Sequence, residues 1–300
     1  MREDRKKRRR RVKRIKICLI GMFAAVILLI IYLVSALVAL ICKTAEYTYK
    51  KEDGQEDTAR AELLIENVVE ENEVKSEQEL LRDKLETYAQ EHGFSVEEYT
   101  EEWIELLEKS PETEDFVLNY PLRKGTYVMT PLEDALHQTE MPLFLQWDSR
   151  WGYFVYGDKP MGMTGCGPTC LSMVAVHLLQ NPQMTPLYIA EFAQQNGFYV
   201  EGTGTDWAMM TQGAAELGLY AKEVPLGEQL VMQYLLQGKP IICAMGAGDF
   251  TENGHFIVFA GIKDGKIRVN DPNSRLRSEK LWEFEDIKYQ IKNMWVYSVR

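Results

Sequence analysis

The chain is 300 residues long, with a net charge of −11 at pH 7 and 46% hydrophobic residues. Residues 1–16 hold eleven Lys or Arg against Glu3 and Asp4, about +9, which leaves about −20 for the rest, so the two ends suit different surroundings. Five cysteines without a Cys-x-x-Cys or His-Glu-x-x-His pattern exclude a metal site by motif, and no cofactor is expected.

Residues 17–42 carry no charge. As a helix they would extend about 39 Å at 1.5 Å per residue, enough for a hydrocarbon core of roughly 30 Å. The stretch is longer than the apolar part of a signal peptide and shows no clear small-x-small cleavage site, so it predicts a transmembrane helix in contact with membrane lipid. The Lys/Arg bias holds the 1–16 tail in the cytoplasm and places residues 43–300 outside the cell. Lying directly against the span, the tail reads as an orientation signal rather than as a nucleic-acid-binding segment.

Residues 43–140 read as an acidic linker and a helical accessory region. Lys43 to Thr58 is polar. From Ala59, apolar residues including Leu63, Val68, Leu81, Leu85 and Tyr88 form a stripe on a charged helix, with a break near Asn72 to Ser76. Gly93 ends it, and Ser95-Val96-Glu97-Glu98 has the form of a capping box for a helix carrying Tyr99, Trp103, Leu106 and Leu107. Phe116 to Pro121 is the segment expected to dock this region.

Residues 141–300 are long enough to bury a core of their own. An extended Pro142 to Gln146 leads toward Gly165-Cys166-Gly167-Pro168, which stands before an apolar run, Leu171 to Leu179, predicted as a buried helix. Proline suits a first helical turn, so Cys166 falls at the helix mouth, where unpaired amides and the dipole favour a thiolate. The flanking glycines are expected to allow a sharp turn and a close substrate approach. Thr185-Pro186 opens another helix that stops at Gly197, and Gly202 to Asp206 is a turn and cap. A helix over Gly227 to Leu236 precedes a buried strand, Pro240 to Met245. Strands over His255 to Gly261 and Lys266 to Asn270 join around Asp264-Gly265, and a helical stretch, Leu281 to Ile291, precedes a last strand from Met294 to Val299. Helices first and an antiparallel sheet later give an α+β class.

A cysteine at a helix mouth, then a histidine entering a strand at Gly254-His255-Phe256, then Asn270-Asp271-Pro272 leaving the next strand, is the order of a thiol-histidine-acid site. With Gln146-Trp147-Asp148-Ser149-Arg150-Trp151, these motifs resemble the papain-like cysteine peptidases related to the double-glycine (bacteriocin-leader) peptidases, over about the last 160 residues. The leader peptidases proper are fused to an export transporter. No transporter is present here, so leader processing does not follow from the resemblance.

The resemblance implies a papain-like domain over 141–300. Cys166 would be the nucleophile, His255 the acid-base, Asp271 the orienting carboxylate and Gln146 a donor to the oxyanion. It implies a peptide substrate, including cell-wall stem peptides. The competing reading is a catalytically silent domain that binds peptide or cell-wall material. Cys170 and Cys243 are expected to be reduced and buried.

Strand register decides between Asn270 and Asp271. A two-residue Asp264-Gly265 turn pairs Lys263 with Lys266, which puts Asn270 opposite Phe259 and on the face of His255. A three-residue loop pairs Ile262 with Lys266 and puts Asp271 there instead. We take the three-residue loop and Asp271, because glycine after Asp suits a bulged turn and the resembling family places Asp before Pro.

Overall fold

A computed structural model describes residues 76–300. The expected membrane span, residues 17–42, the basic tail and the polar linker all lie outside the described residues. Among the described residues no helix is long and apolar enough to cross a membrane.

The described part opens on α1 (Glu77–His92), whose N-cap Ser76 forms a capping box with Glu79. Gly93 stops the helix in the left-handed conformation, φ 73°. The capping box expected at Ser95 opens only a single 3₁₀ turn, Val96–Glu98. The helix carrying Trp103 begins later, as α2 (Glu101–Lys109), and α3 (Glu114–Arg123) follows. Leu85, Ala89, Trp103, Ile104, Leu107, Phe116 and Val117 form a small core of their own. Tyr153 joins that core, its ring tilted against that of Phe116 with centroids 5.0 Å apart. Phe116 also fills the space a Cβ on Gly162 would need, 2.2 Å from its ring. The segment expected to dock the helices therefore does so, against the helical turn Met161–Thr164 just before Cys166.

Next come α4 (Cys166–Leu179) and α5 (Pro186–Gln195), the second capped by Thr185 as expected. They are followed by β1 (Leu219–Glu223), α6 (Glu228–Leu236), β2 (Ile241–Met245), β3 (His255–Lys263) and β4 (Lys266–Asn270). The chain ends with α7 (Arg275–Glu279), β5 (Leu281–Trp282) and β6 (Ile291–Val299). The six strands pair antiparallel in the order β1-β6-β2-β3-β4-β5. This is the α+β class that the sequence predicts. Strand β1 and helix α7 have no counterpart in the sequence reading. The stretch predicted as helix over Leu281 to Ile291 is a strand, a four-residue helix and a 3₁₀ turn.

Sheet alternation divides the core. Ile242, Ala244, Phe256, Val258, Trp295 and Tyr297 face α4 and α5, while Ile241, Cys243, Ile257, Phe259, Met294 and Val296 pack with Val231 and Leu235 of α6. Both faces of the central strands are covered, so β2 is buried at every residue and reads as a continuous apolar run.

The hairpin β3–β4 departs from expectation. Its turn is the two-residue one, with Asp264 at φ 54° and Gly265 at φ 75°, and Lys263 pairs with Lys266. The three-residue loop is therefore corrected. A bulge at Ala260 then shifts the ladder by one, so that Gly261 pairs with Arg268, Phe259 with Val269 and Val258 with Asn270. Continuing one step puts Ile257 opposite Asp271, so Asp271 comes to the face of His255 by a different route.

Candidate active site

Cys166 is the first residue of α4, behind N-cap Gly165. The glycines on either side serve packing rather than an unusual turn. Gly165 has φ −84°, and a Cβ there would lie 2.3 Å from Met161 Cγ. A Cβ on Gly167 would lie 2.6 Å from Thr205 Oγ1. The Thr205 hydroxyl is itself held by Tyr156 Oη at 2.9 Å. The glycines thus let the helix start sit against its supports, and the helix start carries the sulfur into the cleft.

His255 begins β3, beside Met245 of β2. Its Nε2 lies 2.8 Å from Asp271 Oδ1, which leaves Nδ1 for the hydrogen bond to the Cys166 sulfur. Asp271 is fully buried and held on several sides. Its Oδ1 also accepts from Asn273 N at 2.8 Å, its Oδ2 accepts from Arg277 Nε at 2.5 Å, and its own N–H donates to Ser278 Oγ at 2.9 Å. Asn270 points the other way, donating to the Pro142 carbonyl at 3.0 Å in the core.

The electrostatics follow from this geometry. Burial alone would push the Cys166 thiol up, but the His255 hydrogen bond and charge, with backbone N–H groups of Phe256 and Gly167, bring it below the usual thiol value. Burial would depress His255, yet the Asp271 carboxylate and Cys166 sulfur raise it to about 10. Burial works against the Asp271 carboxylate too, and it is outweighed by His255 and then Arg277, which leave the group below the usual range. The pair therefore favours thiolate and imidazolium. The other two described cysteines behave oppositely. Cys170 and Cys243 are buried, unpaired and pushed well above the usual thiol value by burial, so only Cys166 combines partial exposure with a lowered pKa.

Gln146 reaches the same place from the extended segment before α4. Its backbone N–H donates to the Pro272 carbonyl at 2.7 Å, and its Nε2 donates to the Gly162 carbonyl at 2.8 Å. Cys166, His255 and Gln146 open together on a cleft of about 800 Å³, walled in part by Tyr199, Trp207 and Lys292. Trp151 is core, its Nε1 bonded to the Leu145 carbonyl, and Trp147 bonds the Asn273 carbonyl. No cluster of metal-binding side chains occurs among the described residues.

The four residues singled out in the sequence thus converge. Sequence reading missed Arg277, because α7 was not foreseen. Its one sequence signal was Ser274, an N-cap residue closely followed by Arg277.

A family model described as the Peptidase_C39 like family matches residues 138–300. The chain is similar to the peptidase domain of Streptococcus ComA, a bi-functional ABC transporter involved in a quorum sensing pathway. Identity there is 19%, with 46% of this chain and 93% of that one covered and a TM-score of 0.36. It is also similar to a double glycine motif protease from an AMS/PCAT transporter in complex with the leader peptide, at 16% identity over 55% and 97%, TM-score 0.32. A third similar structure is a putative C39-like peptidase from Bacillus anthracis, at 14% identity over 53% and 95%, TM-score 0.33. A comparison with curated proteins finds no match. With more than half of its length matched by the family model, the chain belongs to the Peptidase_C39-like family and has its papain-like peptidase fold.

Proposed function

We propose that the protein is a membrane-anchored cysteine peptidase whose catalytic domain faces outside the cell and hydrolyses peptide bonds through Cys166, His255 and Asp271. One arrangement carries this reading: a single imidazole stands between a partly exposed thiol, to which it is hydrogen-bonded, and a buried carboxylate 2.8 Å from its other nitrogen. Cys166 Sγ attacks the substrate carbonyl, forming a carbon–sulfur bond as the carbonyl π electrons move to oxygen. The oxyanion is met by the backbone N–H of Cys166 and by Gln146, whose Nε2 holds Gly162 with one hydrogen and has the second to offer. As the carbonyl re-forms, the carbon–nitrogen bond breaks and His255 passes its proton to the leaving amine. A water, losing a proton to His255, then attacks the thioester and releases the acid with Cys166 restored.

Asp271 keeps the imidazole in one tautomer and stabilises its charged form. The substrate class is a peptide, and an outward-facing site supported by the apolar 17–42 stretch brings cell-wall stem peptides within that class. The test is a thiol-reactive peptide electrophile applied to the full-length protein. Rapid capture at Cys166 near neutral pH, with Cys170 and Cys243 unlabelled, is the expected result; equal labelling of all three would overturn the assignment. External protease added to intact cells should cleave beyond residue 50 and spare the basic tail.

A further inference from the structure

The helix that carries Arg277, the partner of Asp271, is held at its start from outside the family's span. Arg277 touches Asp271 through Nε alone, and its Nη2 is buried without a partner among the described residues. With one contact at its tip, its reach onto Asp271 depends on where the backbone of α7 is fixed. Arg277 N–H donates to Ser274 Oγ at 3.1 Å. A serine hydroxyl has one hydrogen, and Ser274 donates it to Glu112 Oε1 at 2.5 Å, so its lone pairs are turned to Arg277. The same carboxylate accepts the Arg275 N–H at 2.9 Å and sits 3.4 Å from the Leu276 N–H. Glu112 lies between α2 and α3, ahead of residues 138–300.

We infer that Glu112 is a positioning residue for the triad: the helical region ahead of the peptidase fold supplies the carboxylate that caps α7, orients the Ser274 hydroxyl and so keeps Arg277 on Asp271. This rests on reading Cys166, His255 and Asp271 as the triad. The turn between α2 and α3 then helps to position the site and is more than a spacer. The groups facing Asp271 are His255 from β3 and Arg277 from α7, with Cys166 and Cys170 on α4 and Tyr156 beside Cys166. If Arg277 loosens, Asp271 is less firmly held, and the imidazolium it orients is less well placed against the Cys166 sulfur. Cys166 is then harder to ionise.

The measurement uses the full-length protein: the rate of Cys166 alkylation by iodoacetamide across pH, beside kcat and KM on a peptide substrate. In Glu112→Ala the acid limb of alkylation should move up, giving about three- to tenfold slower labelling at pH 6. Turnover should fall about tenfold at unchanged KM. Glu112→Gln, which keeps one acceptor oxygen, should fall between. Ser274→Ala removes the relay hydroxyl and should reproduce the shift even if Glu112→Ala folds poorly. Glu101→Gln, which breaks an exposed pair with Arg82 in the same helical region, should leave the profile in place. A wild-type protein without a Cys166 reactive below pH 8 would sink the triad reading and this inference with it. If wild-type Cys166 is reactive while Glu112→Gln and Ser274→Ala keep its profile and kcat, Glu112 is merely structural and the inference fails.

Discussion

The cysteine junction and the histidine–aspartate hairpin deliver their groups to the same cleft by different physics. At the junction everything needed lies within a few residues: Gly165, Cys166, Gly167 and Pro168 specify a helix start, and the helix start orients the sulfur. In the hairpin, the face on which Asp271 emerges depends on the turn and on every step of the ladder back to His255. One extra residue anywhere along it inverts the outcome. A chemically explicit motif can therefore be read locally, whereas a register is a sum over a whole strand.

The sharpest way to break the comparison is to mutate the two candidates that the register separates. Asp271→Ala should lower turnover by about 10²- to 10⁴-fold, because the imidazole loses the partner that orients and charges it. Asn270→Ala should leave kcat/KM nearly unchanged, while costing about 1–3 kcal/mol of stability from unsatisfied carbonyls at Met141 and Pro142. The reverse ranking in steady-state kinetics would mean that the bulge at Ala260 is absent in solution.

A pH profile separates the two regions in a single protein. The Cys166 thiol is lowered, so alkylation should persist below the usual thiol range and then fall about tenfold per unit once the thiolate is protonated. His255 is raised to about 10, so peptide hydrolysis should decline above that pH as the imidazolium loses the proton it gives the leaving amine. Alkylation needs only the thiolate and should not decline there. A parallel fall of both rates at high pH would point to unfolding instead.

What was legible follows the same division. The helix start at Cys166, the strand start at His255, the α+β class and the helices capped by Thr185 or stopped by Gly93 and Gly197 are all short-range statements, and they correspond to the structure. The hairpin was read with the wrong turn and reached Asp271 only because the bulge supplies the offset expected of a longer loop. Nothing in Phe259-Ala260-Gly261 marks a bulge beyond the glycine itself. Helix α7 is five residues long, too short for an apolar period, and its cap partner Glu112 lies over 160 residues away. Contacts of that range become visible only once the chain is folded.

The junction can be stressed at Gly167. An alanine there must displace Thr205, so Gly167→Ala should cost about 1–3 kcal/mol and slow Cys166 alkylation as the helix start shifts. Thr205→Gly in the same molecule should recover much of both, because the clash is with that side chain. Failure to recover would mean that Gly167 is needed for something other than packing, such as approach of the substrate to the sulfur.

The smallest effect should come from the hairpin turn, and its smallness is informative. Asp264 and Gly265 both have positive φ, the signature of a type I′ turn, in which glycine at the second position is favoured. A Cβ on Gly265 meets nothing within 4 Å, so Gly265→Ala carries only the left-handed backbone penalty, about 1 kcal/mol. That loss should appear in thermal unfolding and leave kcat/KM unchanged. The reason is that the pairings Phe259 with Val269 and Val258 with Asn270 lie beyond the bulge, in a strand held on its other side by β2. These pairings, rather than the turn, hold Asp271 on its face. A large loss of activity with little loss of stability in Gly265→Ala would show the opposite, that the turn sets the register and the bulge only follows it.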